Sequence, residues 1–273
     1  MTSPPPSPPP LPLSHIKALA FDVFGTVVDW RTSVTIALTT AHAAALASPT
    51  FALLPPTLQA HAQSLPPSFW PAFASKWRSS YGRFTKSFSP GTTPWKDIDT
   101  HHHDSLLTLL DTAALTGLFS PSEIRTLSRT WHFLRAWPDA SAGIHTLGTA
   151  FTVATLSNGN TALLADLNGT ANLGFQRLLS AEDFGAYKPH PATYLGACER
   201  LGREPAEVAM VAAHLGDLAA ARRHGMRTIY VERPGEEAWK PDEERYQEAR
   251  GWVDLWVGEG EGGFVEVARR LGI

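Results

Sequence analysis

An α/β fold is predicted by two features of this 273-residue sequence. Short apolar runs, one at 16–22 and several after residue 145, alternate with segments of helical pattern, which is typical of a mostly parallel sheet covered by helices on both faces. Residues 31–137 are instead rich in Ala, Leu, Trp, His and Pro and show helical stretches without a convincing strand. We therefore expect a Rossmann-like parallel-sheet core with an inserted helical cap domain.

The first strand is predicted in IKALAFD, an apolar run that begins at Ile16 and stops at the carboxylate of Asp22. FGTVVDWR follows it, and its Gly25 and Thr26 indicate a turn that leads away from the strand end. The other core strands are predicted in FTVATL ending at Ser157, RLLS ending at Ser180, VAMVAA ending at His214, RTIYVE, and LWVG near the C-terminus. Helices are predicted between these strands at 161–171, 191–201, 218–224 and 263–271.

The inserted region is predicted to contain helices at 33–47, 68–84 and 95–110. An insert after the first strand of a parallel sheet lies over the C-terminal edge of the strands, where open α/β sheets bind ligands. We therefore interpret it as a lid. The predicted division of the chain is a disordered proline-rich tail at 1–14, a core domain formed by 15–30 and 138–273, and a helical cap domain at 31–137.

Composition and charge exclude several classes of protein. The sequence has 23 Lys and Arg against 26 Asp and Glu, a net charge of −3, so a nucleic-acid partner is not expected. The single cysteine, Cys198, leaves no intramolecular disulfide and no cysteine-based zinc cluster. No apolar run is long enough to cross a bilayer, and no signal-peptide pattern is present, so we expect a cytoplasmic protein without a membrane partner.

Polar side chains follow four of the predicted core segments. They are Asp22 with Thr26, Ser157 with Asn158, Lys188, and Asp217 just beyond His214. The carboxyl ends of parallel strands meet at one edge of a sheet, so these groups are expected to lie together. Together they would supply a nucleophile, anion-binding donors, a cation and an acid that positions water.

The segments that carry these residues are FDVFGT, TLSNG, YKPHPATY and VAAHLGD. In order and spacing they resemble the four signature motifs of the haloacid dehalogenase superfamily, and the resemblance covers about residues 15–260. The predicted lid also holds Trp77 and Arg78, and Tyr194 follows Lys188 by six residues. Both features are similar to the 2-haloacid dehalogenase (type II) branch of that superfamily.

The resemblance implies hydrolysis of short 2-haloalkanoic acids to 2-hydroxy acids without a metal or organic cofactor. Asp22 would attack the carbon that bears the halogen and form an ester, which water then cleaves. Lys188 would keep Asp22 ionised and offset the negative charge of the substrate. The implied partner is a small-molecule halogenated carboxylate, and a homodimer is left open.

The other site residues that the resemblance implies bind the substrate or the halide. Arg78 would receive the departing halide and close the site against bulk water. Phe24 would form an apolar wall beside the nucleophile, and Trp95 would add to that wall from the lid. The nucleophile and the substrate carboxylate would be held by Thr26, Ser157 and Asn158, and Tyr194 is either an active-site hydrogen bonder or part of the core.

The fourth motif departs from the pattern of the branch. It reads Ala212, Ala213, His214, Leu215, Gly216 and Asp217. His214 stands in the place of an asparagine that positions the hydrolytic water, and a neutral imidazole oriented by Asp217 could act as general base near neutral pH. Gly216 replaces a bulky aromatic residue and leaves room for another side chain or a larger substrate.

Two alternatives stay open. A magnesium-dependent phosphatase of the same superfamily would use a second aspartate in the first motif and a further carboxylate in the fourth, where this sequence has Phe24 and Ala213. A non-catalytic member would bind a small carboxylate, or a protein partner through the proline-rich tail, and the altered fourth motif favours it.

Two further clusters are given no role in the chemistry. The run His101, His102 and His103 resembles a metal-binding tract but has no suitably spaced partners, so it is expected on the solvent side of the lid. The acidic segment 236–244 is expected to form a solvated loop and the start of a helix.

Overall fold

The computed structural model describes residues 13–273, so the predicted proline-rich tail lies outside the described residues except for its last two positions. The strands are β1 (Ala18–Phe21), β2 (Val28–Asp29), β3 (Arg135–Ala136), β4 (Thr152–Ser157), β5 (Arg177–Ser180), β6 (Val208–Ala212), β7 (Arg227–Val231) and β8 (Leu255–Val257). The α helices are α1 (Trp30–Ala47), α2 (Pro56–Gln63), α3 (Phe69–Ser87), α4 (Ile98–Thr112), α5 (Pro121–Ser128), α6 (Ala140–Leu147), α7 (Thr161–Thr170), α8 (Pro191–Leu201), α9 (Leu215–Arg223), α10 (Glu244–Trp252) and α11 (Gly263–Arg270). Within residues 13–273, no helix has the length and apolar character that a membrane span needs.

Six strands form one parallel sheet in the order β5-β4-β1-β6-β7-β8. β1 lies inside the sheet, with Phe21 paired to Thr155 of β4 on one side and to Val211 of β6 on the other. Every residue of β1 and β6 is buried, because helices cover both faces of the sheet, and so these strands have unbroken apolar sequences. The predicted α/β class is confirmed.

Five helices, α1 to α5, stand between β2 and β3 in the chain. β2 and β3 pair as a short antiparallel ribbon at the point where this helical insert leaves and rejoins the core. β3 lies within 31–137, a region for which the sequence predicts no strand. A strand of two residues is too short to produce an alternating pattern, and sequence periodicity therefore misses it.

The sequence of α3 shows why the insert folds as helices. Its buried residues recur every three or four positions and form one face: Trp70, Phe73, Ala74, Trp77, Tyr81 and Thr85. This face lets α3 pack against α1 and α4. Burying a large apolar side chain such as Phe73 stabilises the fold by about 1.5–3 kcal/mol. The neighbouring α4 begins where Asp97 caps it, accepting a hydrogen bond from the backbone N–H of Thr100 at 2.7 Å.

His101 and His102 lie inside the insert, so the expectation that the histidine run faces solvent is wrong for two of its three members. The His102 ring stacks on Trp131 with centroids 4.4 Å apart, and the His101 ring stacks on Phe84 at the same separation. Burial lowers the pKa of His101 to about 4 and that of His102 well below its usual value. Both rings are therefore neutral at pH 7 and pack as aromatic side chains, while the side chain of His103 is 39% exposed.

A buried histidine connects the insert to the core. His132 places Nε2 2.9 Å from Oδ1 of Asp99 on α4 and Nδ1 2.7 Å from Oδ2 of Asp166 on α7. Asn160 and Arg129 donate further hydrogen bonds to these two carboxylates. Burial opposes protonation of His132, but its hydrogen bonds to the carboxylates outweigh that effect and raise its pKa. The hydrogen bonds of His132 to Asp99 and Asp166 therefore connect the insert to the core.

Replacing His132 by Gln is expected to destabilise the protein more at about pH 6 than at about pH 9. The folded pKa of His132 is raised, so its charge stabilises the fold below the unfolded-state pKa of about 6.5, and this contribution is lost as pH rises through the folded value. Losing a buried hydrogen bond to a charged group costs about 1.5–3 kcal/mol at the lower pH. Urea unfolding at both pH values measures the difference.

His103→Gln is the matched control for this experiment, because His103 lies on α4 but is half exposed and contacts Asp104 at the surface. We expect this variant to change the free energy of unfolding by less than about 0.5 kcal/mol. An equal loss of stability at both pH values for His132→Gln would contradict the role of the imidazolium charge.

Candidate active site

Asp22 directly follows β1 at the carboxyl edge of the sheet. Its backbone N–H donates to the carbonyl oxygen of Val211 on β6 at 2.9 Å, which continues the strand pairing. Oδ1 of the side chain accepts a hydrogen bond from Nζ of Lys188 at 2.8 Å. Oδ2 accepts a hydrogen bond from the hydroxyl of Thr26 at 2.7 Å. These donors on both oxygens fix the carboxylate. The site is also nearly closed to solvent, because Asp22 is only 8% exposed.

The turn after β1 is held by residues from distant parts of the chain. Gly25 has a φ of +87°, a backbone conformation that residues with a Cβ rarely adopt. Its carbonyl oxygen accepts a hydrogen bond from the indole of Trp137 at 2.9 Å, and the carbonyl oxygen of Thr26 accepts one from Nε of Arg233 at 3.0 Å. The Thr26 hydroxyl oxygen accepts one from the backbone N–H of Ala213 at 2.9 Å. The turn after β1 and the loop after β6 therefore form one hydrogen-bonded unit.

Lys188 lies between two carboxylates. Its Nζ is 2.8 Å from Oδ1 of Asp22 and 2.6 Å from Oδ2 of Asp217, and its side chain is 8% exposed. Tyr194 is fully buried on α8 and donates its hydroxyl to Oδ1 of Asp217 at 2.7 Å. Tyr194 therefore belongs to the core and also supports the acid that holds Lys188.

These contacts set the charges of the site. Burial opposes ionisation of Asp22, but the charge of Lys188 and a hydrogen bond from His214 hold its pKa well below the usual range. Burial also opposes the charge of Lys188, yet the nearby carboxylates of Asp217 and Asp22 raise the pKa of the ammonium. At neutral pH an ionised carboxylate therefore lies beside an ammonium, which is the state that a carboxylate nucleophile requires.

Ser157 and Asn158 stand at the end of β4, the strand next to β1. The Ser157 hydroxyl oxygen accepts a hydrogen bond from the backbone N–H of Gly159 at 3.1 Å. The Asn158 side-chain oxygen accepts one from the backbone N–H of Lys188 at 2.7 Å. Both side chains are buried, and Asn158 fixes the loop that presents Lys188.

His214 contacts Asp22 rather than Asp217. Its Nδ1 lies 3.1 Å from Oδ2 of Asp22, and its Nε2 lies 3.4 Å from Oε2 of Glu236. The expectation that Asp217 orients this imidazole is therefore wrong. The reason is the start of α9, which places Asp217 in the first helical turn against Lys188 and leaves His214 at the helix entry, facing the end of β1.

The charge of His214 also differs from the expectation. Burial opposes its protonation, but the hydrogen bonds to Asp22 and Glu236 raise its pKa to about 9. The ring is therefore an imidazolium at neutral pH, and the expected neutral imidazole is wrong for the protein without substrate. In this state His214 donates a hydrogen bond to the Asp22 carboxylate.

Glu236 is a part of the site that the sequence does not reveal. It belongs to the segment expected to be solvated, yet its side chain is 6% exposed. Its Oε2 also accepts a hydrogen bond from the indole of Trp30 at 3.0 Å, across 206 positions of sequence. Gly25 is an indirect sign of this contact, because a Cβ there would overlap the Glu236 carboxylate.

Arg78 contributes from the insert to a cavity of about 350 Å³ beside this cluster. The cavity is lined by Trp30, Arg31, Ser75, Arg78, Ser79, His214, Gly235, Glu236 and Ala238. The Arg78 guanidinium is 4.4 Å from the centroid of the Tyr81 ring. It is also 5.7 Å from the ring of Phe24 and 5.8 Å from that of Trp30. Three aromatic rings therefore hold a cation at the cavity, where it can receive an anion.

The structure does not bring Trp95 to this cavity. Its ring stacks on Tyr187 with centroids 4.7 Å apart, and it is 38% exposed. The space left by Gly216 is bounded by an aromatic side chain, since a Cβ at Gly216 would meet Cζ2 of Trp239 at 3.9 Å.

Comparisons with known proteins point to one family. The family model for haloacid dehalogenase-like hydrolases matches residues 16–225. (S)-2-haloacid dehalogenase 4A from Burkholderia cepacia is 39% identical over 105 residues, which cover 37% of this chain and 46% of that protein. (S)-2-haloacid dehalogenase 1 from Pseudomonas sp. (strain CBS-3) is 34% identical over 121 residues, which cover 43% of this chain and 53% of that protein. The chain thus spans about half the length of these curated relatives.

A solved structure is similar to nearly all of the chain. The crystal structure of the L-2-haloacid dehalogenase PA0810 is 34% identical and superposes with a TM-score of 0.73. The superposition covers 94% of this chain and 100% of that one, so the likeness includes both the parallel sheet and the helical insert.

Replacing Gly25 by Ala is expected to destabilise the protein more than replacing Gly91 by Ala. The two glycines have φ values of +87° and +80°, so both alanines carry a similar backbone strain, about 1–2 kcal/mol. A Cβ at Gly91 meets nothing within 4 Å, whereas a Cβ at Gly25 overlaps the Glu236 carboxylate. Displacing that carboxylate breaks its hydrogen bonds with Trp30 and His214 and adds about 1.5–3 kcal/mol to the loss.

Urea unfolding of the two alanine variants provides the comparison. If both lose the same free energy of unfolding, Glu236 moves aside without cost and is not held in the site as described.

Proposed function

This chain belongs to the haloacid dehalogenase-like hydrolases, and from this premise we propose that it hydrolyses short 2-haloalkanoic acids to 2-hydroxy acids. The observation that carries the proposal is the ionised Asp22 carboxylate, bound by Lys188 and Thr26 near the cavity that Arg78 lines. The names of the relatives, (S)-2- and L-2-haloacid dehalogenases, support this substrate class.

In the first step a carboxylate oxygen of Asp22 attacks the carbon that bears the halogen. A carbon–oxygen bond forms with inversion, the carbon–halogen bond breaks, and the halide leaves with the bonding electrons. A carboxylate is a weak nucleophile in water, but a fixed position contributes up to about 7–11 kcal/mol through effective molarity. Lys188 offsets negative charge around the reacting carboxylates, and Arg78 receives the halide.

Water then cleaves the ester, and we assign the activation of this water to His214. Esterification removes the charge of Asp22 and weakens the hydrogen bond that the imidazolium makes to it, so the pKa of His214 falls. The ring then releases a proton to solvent and leaves Nδ1 able to accept a proton from water. The imidazolium of the substrate-free protein is thus consistent with a base in the second step.

A magnesium-dependent phosphatase is the alternative within the family. The contacts of Lys188 speak against it, because its ammonium lies 2.8 Å from Asp22 and 2.6 Å from Asp217 and so offsets negative charge that would otherwise attract a metal ion. The side chains of Phe24 and Ala213 offer no carboxylate ligand for a hard cation. A non-catalytic binding protein would not need an ionised Asp22 carboxylate that accepts hydrogen bonds from Lys188, Thr26 and His214.

We expect chloride release from one enantiomer of 2-chloropropionate in the presence of EDTA, with no increase when magnesium is added. The names of the relatives favour the (S) enantiomer. The assay is repeated with a phosphate ester and magnesium. Phosphate release that requires magnesium, without chloride release, would favour the phosphatase. Absence of both products would favour the binding protein.

Replacing Asp22 by Asn is expected to reduce chloride release by at least about 10³-fold, because an amide lacks the nucleophilic charge. The fold should persist, which a thermal unfolding scan checks, since Lys188 keeps Asp217 as a partner. Asp97→Asn is the matched control: Asn caps a helix as well as Asp does, so activity should be unchanged. Turnover by Asp22→Asn at the wild-type rate would refute the mechanism.

A further inference from the structure

The loop between β7 and α10 brings a buried acid to the histidine of the site. Oε2 of Glu236 lies 3.4 Å from Nε2 of His214 and 3.0 Å from Nε1 of Trp30. The Glu236 side chain is 6% exposed, so its carboxylate is committed to these partners rather than to water. The imidazole is therefore held between two carboxylates, with Nδ1 facing Asp22 at 3.1 Å.

This loop is anchored on both sides of the carboxylate. Before it, Nε of Arg233 donates to the carbonyl oxygen of Thr26 at 3.0 Å. After it, the carboxylate of Glu237 accepts a hydrogen bond from the backbone N–H of Leu215 at 2.6 Å. One anchor lies in the turn that follows the nucleophile and the other lies at the start of α9. Glu236 is thus fixed relative to both the nucleophile and the imidazole.

The backbone of the turn after β1 leaves space for this acid. Gly25 has no Cβ, and an added Cβ would overlap the Glu236 carboxylate. On its other side, Oε1 of Glu236 lies 3.9 Å from a guanidinium nitrogen of Arg31, a side chain that is 46% exposed. The Oε2 atom of Glu236 therefore contacts the indole of Trp30 and the imidazole of His214, and its Oε1 atom lies near the guanidinium of Arg31.

We propose that Glu236 is a positioning residue for the hydrolytic half of the reaction, an inference that rests on the dehalogenase activity proposed above. Its carboxylate accepts the Nε2–H of His214 and keeps Nδ1 directed at Asp22. This contact matters most after esterification, when the neutral ring has lost its ionic partner and can exist in two tautomers. Glu236 selects the tautomer with the proton on Nε2, so Nδ1 is the basic nitrogen beside the ester.

The proton transfers of this half-reaction balance with water as the one co-reactant. The neutral imidazole takes a proton from water through Nδ1 while the water oxygen bonds to Cγ of Asp22. The tetrahedral intermediate collapses and the bond from Cγ to the bridging ester oxygen breaks. That oxygen, which came from the Asp22 carboxylate, leaves as the product hydroxyl with the proton from Nδ1, and the water oxygen remains in the carboxyl group of Asp22. Asp22, now a carboxylic acid, returns its proton to His214 and restores the ion pair. The proton released by the imidazolium after esterification accompanies the halide into solvent.

Glu236→Gln tests the proposal, because Gln has nearly the same shape and keeps an oxygen for the Trp30 indole but lacks the negative charge. With excess 2-chloropropionate, rapid-quench measurements should show a stoichiometric burst of chloride at the wild-type rate. Steady-state release should then be slower by about 10²-fold, as for the loss of general base catalysis. Mass spectrometry of the quenched variant should find the substrate ester on Asp22.

Asp242→Asn is the matched control, since Asp242 is an exposed acid of the same loop between β7 and α10, and its replacement also exchanges a carboxylate for an amide. This variant should turn over without a burst and without accumulated ester. Glu236→Asp keeps the charge on a shorter side chain and should recover part of the steady-state rate that Glu236→Gln loses.

Two outcomes would overturn the inference while the wild-type protein releases chloride. One is a Glu236→Gln protein that turns over at the wild-type rate without accumulating ester. The other is a variant in which the burst and the steady state fall together and Asp replacement restores neither, because Glu236 would then serve the fold or the first step. A wild-type protein that releases no chloride would instead overturn the proposed function itself.

Discussion

The ammonium of Lys188, buried between the carboxylates of Asp22 and Asp217, is the interaction on which the site depends. Moving a charge out of water costs several kcal/mol, and only close partners of opposite charge offset that cost. Lys188 keeps Asp22 ionised, and the two acids keep Lys188 charged. Asp217 matters to the proposed mechanism because an ester at Asp22 would remove one partner, and the ammonium would retain the other. Tyr194 holds that second acid in place.

The parallel sheet explains how much of the site the sequence predicts. Asp22 follows β1, Ser157 ends β4 and His214 follows β6, and the pairing of these strands puts all three at one edge. Strand order does not predict the position of Glu236, because this residue reaches the site through a loop whose path depends on Arg233 and Glu237. That loop contains several acids, and composition alone cannot tell which carboxylate turns inward.

In the helical insert too, the sequence pattern predicts the long helices but not the contacts that individual side chains make. The predicted helices at 33–47, 68–84 and 95–110 correspond to α1, α3 and α4, because long amphipathic segments have a clear period. The short helices α2 and α5 lack enough turns to be recognised. The sequence also fails to predict that His101 and His102 are buried, because a run of polar histidines is usually exposed to solvent. Each ring is neutral here and can therefore pack against an aromatic neighbour.

The histidine of the fourth motif makes sense only together with Glu236. An imidazolium beside Asp22 adds a positive charge, and Glu236 supplies the balancing negative charge on its far side. Before the reaction this buried cluster holds three carboxylates, the ammonium of Lys188 and the imidazolium, so its net charge is −1. In the proposed ester, after loss of the imidazolium proton, Asp217 and Glu236 face Lys188 alone, and the net charge is again −1. In the proposed mechanism the proton released by His214 therefore cancels the charge that Asp22 loses, so the buried cluster would pass from one half-reaction to the other without accumulating charge.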